Sequence, residues 1–268
     1  MEAFLSYGFL QRALFAGVFV ALACALLGVF LILRRDAMIG HGLAHVAFAG
    51  IAIGLLLNIL PMIIALVVAV LSALGIMRLK EKAGLYGDTA IAIFSSVGFA
   101  LGVLVVTVSQ GFNVDLFSYL FGDILTIGVS EVALAICLAI AVVLIVFMNY
   151  QRFMYMTFDW ESAKVSGIRV RRLDTLLTVL TAITVVLGMK LVGILLVSAL
   201  LVIPSAAGLQ LASSFKQAIG FSSLISLISV VFGLCISFYL DFPASGSIVI
   251  VSFVCFCICF IIKRTRQS

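Results

Sequence analysis

The sequence has few charged residues and almost no histidine. Only 10% of its 268 residues are charged, whereas 65% are hydrophobic, and the mean hydropathy is +1.38. Soluble domains are about 25% charged and about 45–50% apolar, so this composition excludes an ordinary soluble domain. Strand patterns that alternate between apolar and polar residues are also missing, which argues against a transmembrane barrel. We therefore expect an all-α, polytopic membrane protein.

Two motifs that would give the chain its own catalytic chemistry are absent. None of its lysines is followed by Ser or Thr, so the chain has no P-loop for nucleotide hydrolysis. An intramembrane zinc protease would need His-Glu-x-x-His, in which the glutamate is the general base. The corresponding stretch here is His41-Gly42-Leu43-Ala44-His45, with glycine in the position of the base. We expect a protein that is not an enzyme and that binds its substrate without altering it.

The apolar residues are grouped into runs that suit membrane spans of about 20 residues. Nine candidate spans lie at about 10–33, 38–58, 60–78, 89–110, 129–149, 173–189, 191–212, 217–239 and 244–262. Eight spans remain an alternative if one segment dips into the membrane and returns. With the last span ending in the cytoplasm, every lysine and arginine except Arg12 and Lys190 falls on the cytoplasmic side. The net charge of +5 therefore reflects orientation and does not indicate a nucleic-acid partner.

Both histidines of the chain, His41 and His45, lie near the start of the second candidate span. Residues at i and i+4 share one face of a helix, with Cβ atoms about 5–6 Å apart. Two imidazoles placed in this way can bind one metal ion, and polar groups inside a membrane segment are candidates for function. The alternative interpretation is that they form hydrogen bonds with a neighbouring helix.

The loop at 111–128, on the outer side, contains Asp115 and Asp123 and no basic residue. Its aromatic residues predict a short helix at the membrane interface. The two carboxylates mark a candidate outer vestibule that would attract cations, and an ordinary solvated loop is the alternative.

The loop at 149–172, on the cytoplasmic side, contains a stretch that predicts a short amphipathic helix. Either Thr157 or Asp159 can cap its start, and the carboxylate of Glu161 falls in its first turn. Gly167 supplies the left-handed position that ends it. A helix lying on the membrane interface and a docking element for a soluble partner are both consistent with these residues.

Glycine and proline predict two features of helix packing. The pattern Gly50-x-x-x-Gly54 allows another helix to approach closely. Pro204 lies inside a candidate span, where it predicts a kink or a break.

Five motifs occur in order along nearly the whole chain. They are Leu33-Arg34-Arg35 leading into Gly40-His41-x-Leu43-Ala44-His45, the following Gly50, Tyr119-Leu120-Phe121-Gly122-Asp123-Ile124-Leu125, Phe158-Asp159-x-Glu161-x-Ala163-x-x-x-Gly167, and Val192-Gly193-Ile194-Leu195-Leu196-Val197-x-Ala199-Leu200-Leu201-Val202-Ile203-Pro204. Together they resemble the membrane-spanning subunit of bacterial zinc/manganese ABC importers. The resemblance implies a permease of the type II ABC importer class, with residues 1–268 as a single transmembrane domain in the bacterial plasma membrane.

The resemblance also implies partners and a substrate. A separate cytoplasmic ATPase would dock on a coupling helix at about 158–168, through Asp159, Glu161, Ala163 and Gly167. An extracytoplasmic metal-binding protein would deliver the ion, and a second permease copy would complete a central path through the lipid bilayer. Zn²⁺ or Mn²⁺ would be the transported substrate, and no permanently bound cofactor is expected.

The metal site that the resemblance implies has an acidic residue and a histidine four positions apart, which align with His41 and His45. This sequence departs from the family by having His41 where aspartate is usual. An additional imidazole favours zinc, because manganese prefers harder oxygen ligands; manganese and iron remain alternatives.

Other kinds of transporter remain open on the sequence alone. A secondary metal transporter driven by protons or by a gradient would need carboxylates inside the membrane. The acidic residues considered for that role lie near the ends of the spans, at Asp88, Glu131, Asp174 and Asp241. A cobalamin or siderophore permease of similar fold would be favoured if the histidines proved dispensable.

Overall fold

The computed structural model describes residues 7–84, 87–109, 122 and 127–267, and this part of the chain contains helices and turns without strands. The helices are α1 (Gly8–Leu33), α2 (Ile39–Leu56), α3 (Pro61–Ala83), α4 (Gly87–Val108), α5 (Val129–Met148), α6 (Tyr150–Phe158), α7 (Trp160–Val165), α8 (Val170–Val192), α9 (Ile194–Leu211), α10 (Phe215–Leu240) and α11 (Ala244–Gln267).

Within the described ranges, nine helices are long and apolar enough to cross a membrane, which leaves only α6 and α7 as short elements. The predicted all-α class and the nine spans are confirmed. Helix α3 extends beyond its predicted end because Lys80 and Lys82 in its last turn suit the negative end of the helix dipole. It then stops at Gly84, which adopts a left-handed conformation (φ 62°).

The cytoplasmic connection between α5 and α8 differs from the sequence prediction. Helix α6 was not predicted, and α7 is shorter than the predicted helix because Phe158 belongs to α6. Asp159 separates the two helices with an extended backbone (φ −145°, ψ 92°). The helix predicted around 111–128 falls largely outside the described residues.

Of the kink or break predicted at Pro204, the break is excluded, because α9 continues through this residue. The chain interrupts its helices earlier, at Gly193, whose φ of 89° is strained for residues with a side chain. Gly193 is the residue between α8 and α9.

Packing divides the chain into two compact units. The first unit comprises the described residues within 1–32, 118–145 and 188–268, and the second comprises those within 33–117 and 146–187.

In the first unit, α9, α10 and α11 pack against one another. Serine hydroxyls connect helices there: Ser205 donates to the main-chain oxygen of Ala25 (3.2 Å), and Ser226 donates to that of Ala21 (3.1 Å). Gly28 of α1 leaves so little room that an added Cβ would lie 1.9 Å from the main-chain oxygen of Leu201. Close backbone approach and buried hydroxyl groups are common ways of packing helices in membranes.

In the second unit, α2 packs against both α3 and α4. A Cβ added at Gly50 would lie 2.5 Å from the Cα of Ala65, and one added at Gly54 would lie 2.5 Å from the Cα of Pro61. The close approach predicted from Gly50-x-x-x-Gly54 is therefore present, and α3 is the helix that makes it.

Candidate metal site and coupling helix

His41 and His45 lie on the first half of α2. The helix begins at Ile39, whose amide donates to the main-chain oxygen of Asp36 (3.0 Å). Most of α2 is buried, whereas the two histidines are half-buried and occupy the same face. The helix therefore holds both imidazoles at a partly accessible position within a largely apolar segment.

The two imidazole rings approach through equivalent nitrogen atoms. The Nε2 atoms are 3.1 Å apart, and the ring planes are nearly perpendicular, at 88° with centroids 4.5 Å apart. Two nitrogens that bind one tetrahedral zinc at about 2.0–2.1 Å lie about 3.3 Å from each other. The pair is thus close to the spacing that one bound ion requires, with a side-chain adjustment of a few tenths of an ångström.

The short contact bears on how an ion could bind. A hydrogen bond at this distance requires one ring to donate its Nε2 hydrogen to the Nε2 lone pair of the other. Binding an ion through both Nε2 atoms requires both lone pairs, so the shared hydrogen must leave or the donor must change tautomer. Within the described part of the chain, His41 and His45 bond each other, and metal binding by the pair stays a prediction.

Phe99 of α4 fixes the second histidine from the side. Its ring contacts His45 edge to face, with centroids 5.1 Å apart at 78°, and stacks near Phe48 at 5.9 Å. Gly98 allows this approach, because a Cβ there would lie 2.8 Å from the Cα of Val46. The sequence gives no local signal for the contact, which depends on how α2 and α4 pack.

Among the described residues, no group of three or more histidine, cysteine, aspartate and glutamate side chains could hold a metal ion. The predicted ligands His41 and His45 would fill two positions of a tetrahedral ion and leave two for water or another molecule. Asp115 and Asp123, the candidate outer vestibule, lie outside the described residues.

The predicted coupling residues lie on or beside α7. Asp159 is the N-cap: its Oδ1 accepts a hydrogen bond from the amide of Ser162 (2.9 Å). Hydrogen bonds from Ser162 hold the pKa of this carboxyl below its usual value. Thr157, the other predicted cap, instead donates to the main-chain oxygen of Phe153 within α6 (2.7 Å).

The other three coupling residues have different exposures and roles. Ala163 is fully buried and anchors one side of α7, whereas Glu161 is exposed in its first turn. Gly167 adopts the predicted left-handed conformation (φ 81°), and the amide of Ile168 bonds back to the main-chain oxygen of Ala163 (3.1 Å). The short helix is therefore closed at both ends.

A buried cluster formed by Arg34, Asp36, Lys80 and Asp174 was not predicted from the sequence. Asp174 was expected only to lie near the end of a span. The available signal was the Leu33-Arg34-Arg35 motif directly before α2.

A model of the ABC 3 transport family matches residues 6–263 of the chain. The chain belongs to the ABC 3 transport family. This finding confirms the resemblance that the five motifs indicated.

Relatives of this ABC 3 chain include two transport-system proteins. The manganese transport system membrane protein MntC of Listeria innocua is 31% identical over 261 residues, which cover 97% of this chain and 93% of the relative. The high-affinity zinc uptake system membrane protein ZnuB of Haemophilus influenzae is 33% identical over 255 residues, covering 95% of this chain and 97% of the relative.

The fold of this ABC 3 chain is also similar to that of a solved structure, PsaBC from Streptococcus pneumoniae in complex with Fab. The TM-score is 0.86 at 31% identity, and the match covers 97% of this chain and 93% of that chain.

Proposed function

We propose that this chain is the permease subunit of an ATP-driven ABC importer that carries a divalent transition metal into the bacterial cytoplasm. The observation that carries the proposal is the His41–His45 pair, with Nε2 atoms 3.1 Å apart on a membrane-spanning helix of an ABC 3 family member. The similarity to manganese and zinc transport proteins supports the same substrate class. The chain is a multi-pass protein of the bacterial plasma membrane.

The substrate ion binds the two imidazoles in their neutral form. An extracytoplasmic metal-binding protein delivers the ion, and water or a second permease copy completes its coordination. Two permease copies surround the path, and residues 1–268 of each act as one transmembrane domain. Asp115 and Asp123 remain the predicted outer vestibule that would attract the cation.

The energy comes from a separate cytoplasmic ATPase, because the chain itself has no P-loop. The ATPase docks on the coupling helix at about 158–168, where Asp159 and Gly167 close the ends of α7, Ala163 anchors it and Glu161 is exposed. Closure of the ATPase moves α7, and the spans change between outward and inward access.

Zinc is the favoured substrate. Imidazole nitrogen suits zinc well, whereas manganese prefers oxygen ligands. His41 supplies a nitrogen where the family resemblance implies aspartate, so the pair presents two nitrogen ligands.

Transport by the permease–ATPase complex in proteoliposomes tests the proposal. With Zn²⁺ and the extracytoplasmic metal-binding protein outside and ATP available to the ATPase, the wild-type complex should accumulate zinc, and without ATP it should not. His45→Ala should abolish accumulation without reducing the amount of assembled complex. ATP-independent accumulation would favour a secondary transporter, and normal accumulation by His45→Ala would contradict the metal site.

A conservative pair of variants sharpens the test. His41→Asp retains a metal ligand and should still transport, with its preference shifted towards Mn²⁺. His41→Ala removes the ligand and should not transport. Transport by His41→Ala at the wild-type rate would remove His41 from the site.

A further inference from the structure

The second unit contains four charged side chains that are largely removed from solvent. The exposed fractions are 8% for Arg34, 9% for Asp36, 7% for Asp174 and 20% for Lys80. Buried charges in a membrane protein are expensive and are retained where they pair with one another. These four side chains therefore need charged partners within the protein.

The four groups form a continuous and electrically neutral set. A terminal nitrogen of Arg34, Nη2, donates to Oδ1 of Asp174 and lies 3.7 Å from Oδ2 of Asp36. Nζ of Lys80 donates to both carboxylate oxygens of Asp36, at 2.8 and 3.0 Å. Because the two cations and two anions share partners, the removal of one leaves another charge buried without its full partner.

The cluster joins separate helices at the start of the histidine-bearing helix. Arg34 and Asp36 lie in the turn between α1 and α2, and the main-chain oxygen of Asp36 accepts the first amide of α2. Lys80 comes from the last turn of α3, and Asp174 comes from the beginning of α8. The position of α2 is thus tied directly to α3 and α8.

Arg34 also reaches α7. Its guanidinium carbon lies 5.8 Å from the ring centroid of Trp160, the first residue of that helix and the sole tryptophan of the sequence. A planar guanidinium can stack on an aromatic face while its N–H groups bond a carboxylate in the same plane, which lysine cannot do. Arg34 therefore contacts α7 through Trp160 and α8 through Asp174.

Two further features lie beside the contact between Arg34 and Trp160. Arg35 is held in the left-handed region (φ 59°), a conformation that persists only where the surrounding structure fixes it. A cavity of about 820 Å³ lies beside α7 and is lined by Arg34, Trp160 and Asp174 among others. Arg34 and Trp160 thus line the same cavity, beside the contact that joins them.

We propose that Arg34 is a positioning residue for transport, which links the coupling helix α7 to the histidine-bearing helix α2 through Trp160, Asp174 and Asp36. Displacement of α7 by the ATPase then reaches His41 and His45 through a chain of direct contacts. This inference rests on the proposed function of an ATP-driven metal importer.

The test measures zinc accumulated per ATP hydrolysed by the full permease–ATPase complex in proteoliposomes. Trp160→Leu removes the aromatic face, Trp160→Phe retains one, and Arg34→Lys retains the charge but not the planar guanidinium. The ratio should fall about tenfold for Trp160→Leu and for Arg34→Lys, and by less than about twofold for Trp160→Phe. The amount of assembled complex should stay unchanged, because no buried carboxylate loses its cation.

The double variant separates the link from ATPase docking. If Trp160 acts through Arg34, combining Trp160→Leu with Arg34→Lys should reduce the ratio no further than the worse single change. If the reductions caused by the two single changes multiply in the double variant, Trp160 acts on the ATPase alone and the proposal is overturned.

The outcomes distinguish this inference from the function on which it rests. If the wild-type complex accumulates no zinc with ATP, the proposed function fails. If the wild-type complex transports and Trp160→Leu and Arg34→Lys retain its ratio of zinc to ATP, the cluster is purely structural and the link is wrong.

Discussion

The two compact units bury different kinds of polar side chain. Among the residues that the structure describes, every buried carboxylate belongs to the second unit, as Asp36 and Asp174. The buried polar side chains of the first unit are all serines: Ser205, Ser222, Ser226, Ser229, Ser245, Ser247 and Ser252. A hydroxyl needs one partner and can be lost at small cost, whereas shared ion pairs depend on one another.

This difference predicts where the molecule tolerates change. The first unit depends on close backbone contacts and individually weak hydrogen bonds. The second unit holds the histidine pair and the charge cluster, where a single substitution can leave a buried charge unpaired. The polar groups that we propose to act in transport are thus concentrated in the unit with the more sensitive interior.

The largest effect is expected from Asp36→Leu in the second unit. The substitution leaves the ammonium of Lys80 without its carboxylate partner, so the free energy of unfolding should fall by about 3–5 kcal/mol. Equilibrium unfolding of the purified permease in mixed micelles measures this change in the free energy of unfolding. The double variant Asp36→Leu/Lys80→Met is the control and should recover much of the loss. Equal destabilisation of single and double variants would show that charge pairing does not govern this site.

A smaller loss is expected from Gly28→Ala in the first unit. The new methyl group would meet the main-chain oxygen of Leu201, and α1 and α9 would have to separate. Overpacking of this kind should reduce the free energy of unfolding by about 1–3 kcal/mol in the same micelle assay. Gly220→Ala is the matched control, because nothing lies within 4 Å of its added Cβ, and it should gain up to about 1 kcal/mol. A stabilised Gly28→Ala would contradict the close packing of α1 and α9.

The features predicted correctly from the sequence are those that depend on local pattern. Hydropathy locates the nine spans, and the spacing of His41 and His45 places both imidazoles on one helix face. The cap and the left-handed glycine at the ends of α7 also depend on residues close in sequence. Each of these signals lies within one helix or one turn.

The charge cluster could not be predicted in the same way. Arg34 and Asp174 are separated by 140 positions, and their pairing depends on how the spans pack. Helix α6 was missed because its nine residues are too few for the helical spacing of Phe153 and Met156 to be recognised as a period. The Phe99–His45 contact likewise depends on the packing of α4 against α2. Long-range packing, and not local propensity, supplies the charge cluster and the Phe99–His45 contact.

Removing a hydroxyl contact of the first unit should reduce the free energy of unfolding by a still smaller amount. Ser226→Ala removes the hydrogen bond to the main-chain oxygen of Ala21, and should cost about 0.6–1 kcal/mol in the same unfolding assay. Ser198→Ala removes a hydroxyl that bonds within its own helix, to Ile194, and should change stability little. A loss for Ser226→Ala as large as that for Asp36→Leu would remove the contrast between the units.

The smallest effect concerns the surface of the second unit, where Asp159 caps α7. Because the folded-state pKa of Asp159 lies below its usual value, the cap is fully present above the ordinary carboxyl range and is lost as the pH falls through the folded pKa. Trp160 follows the cap directly and is the sole tryptophan, so its fluorescence reports on α7. Lowering the pH should change the emission of the wild-type protein and of Glu161→Gln, but not that of Asp159→Asn. An unchanged transition in Asp159→Asn would assign it to another carboxyl group and would show that the start of α7 does not depend on its cap.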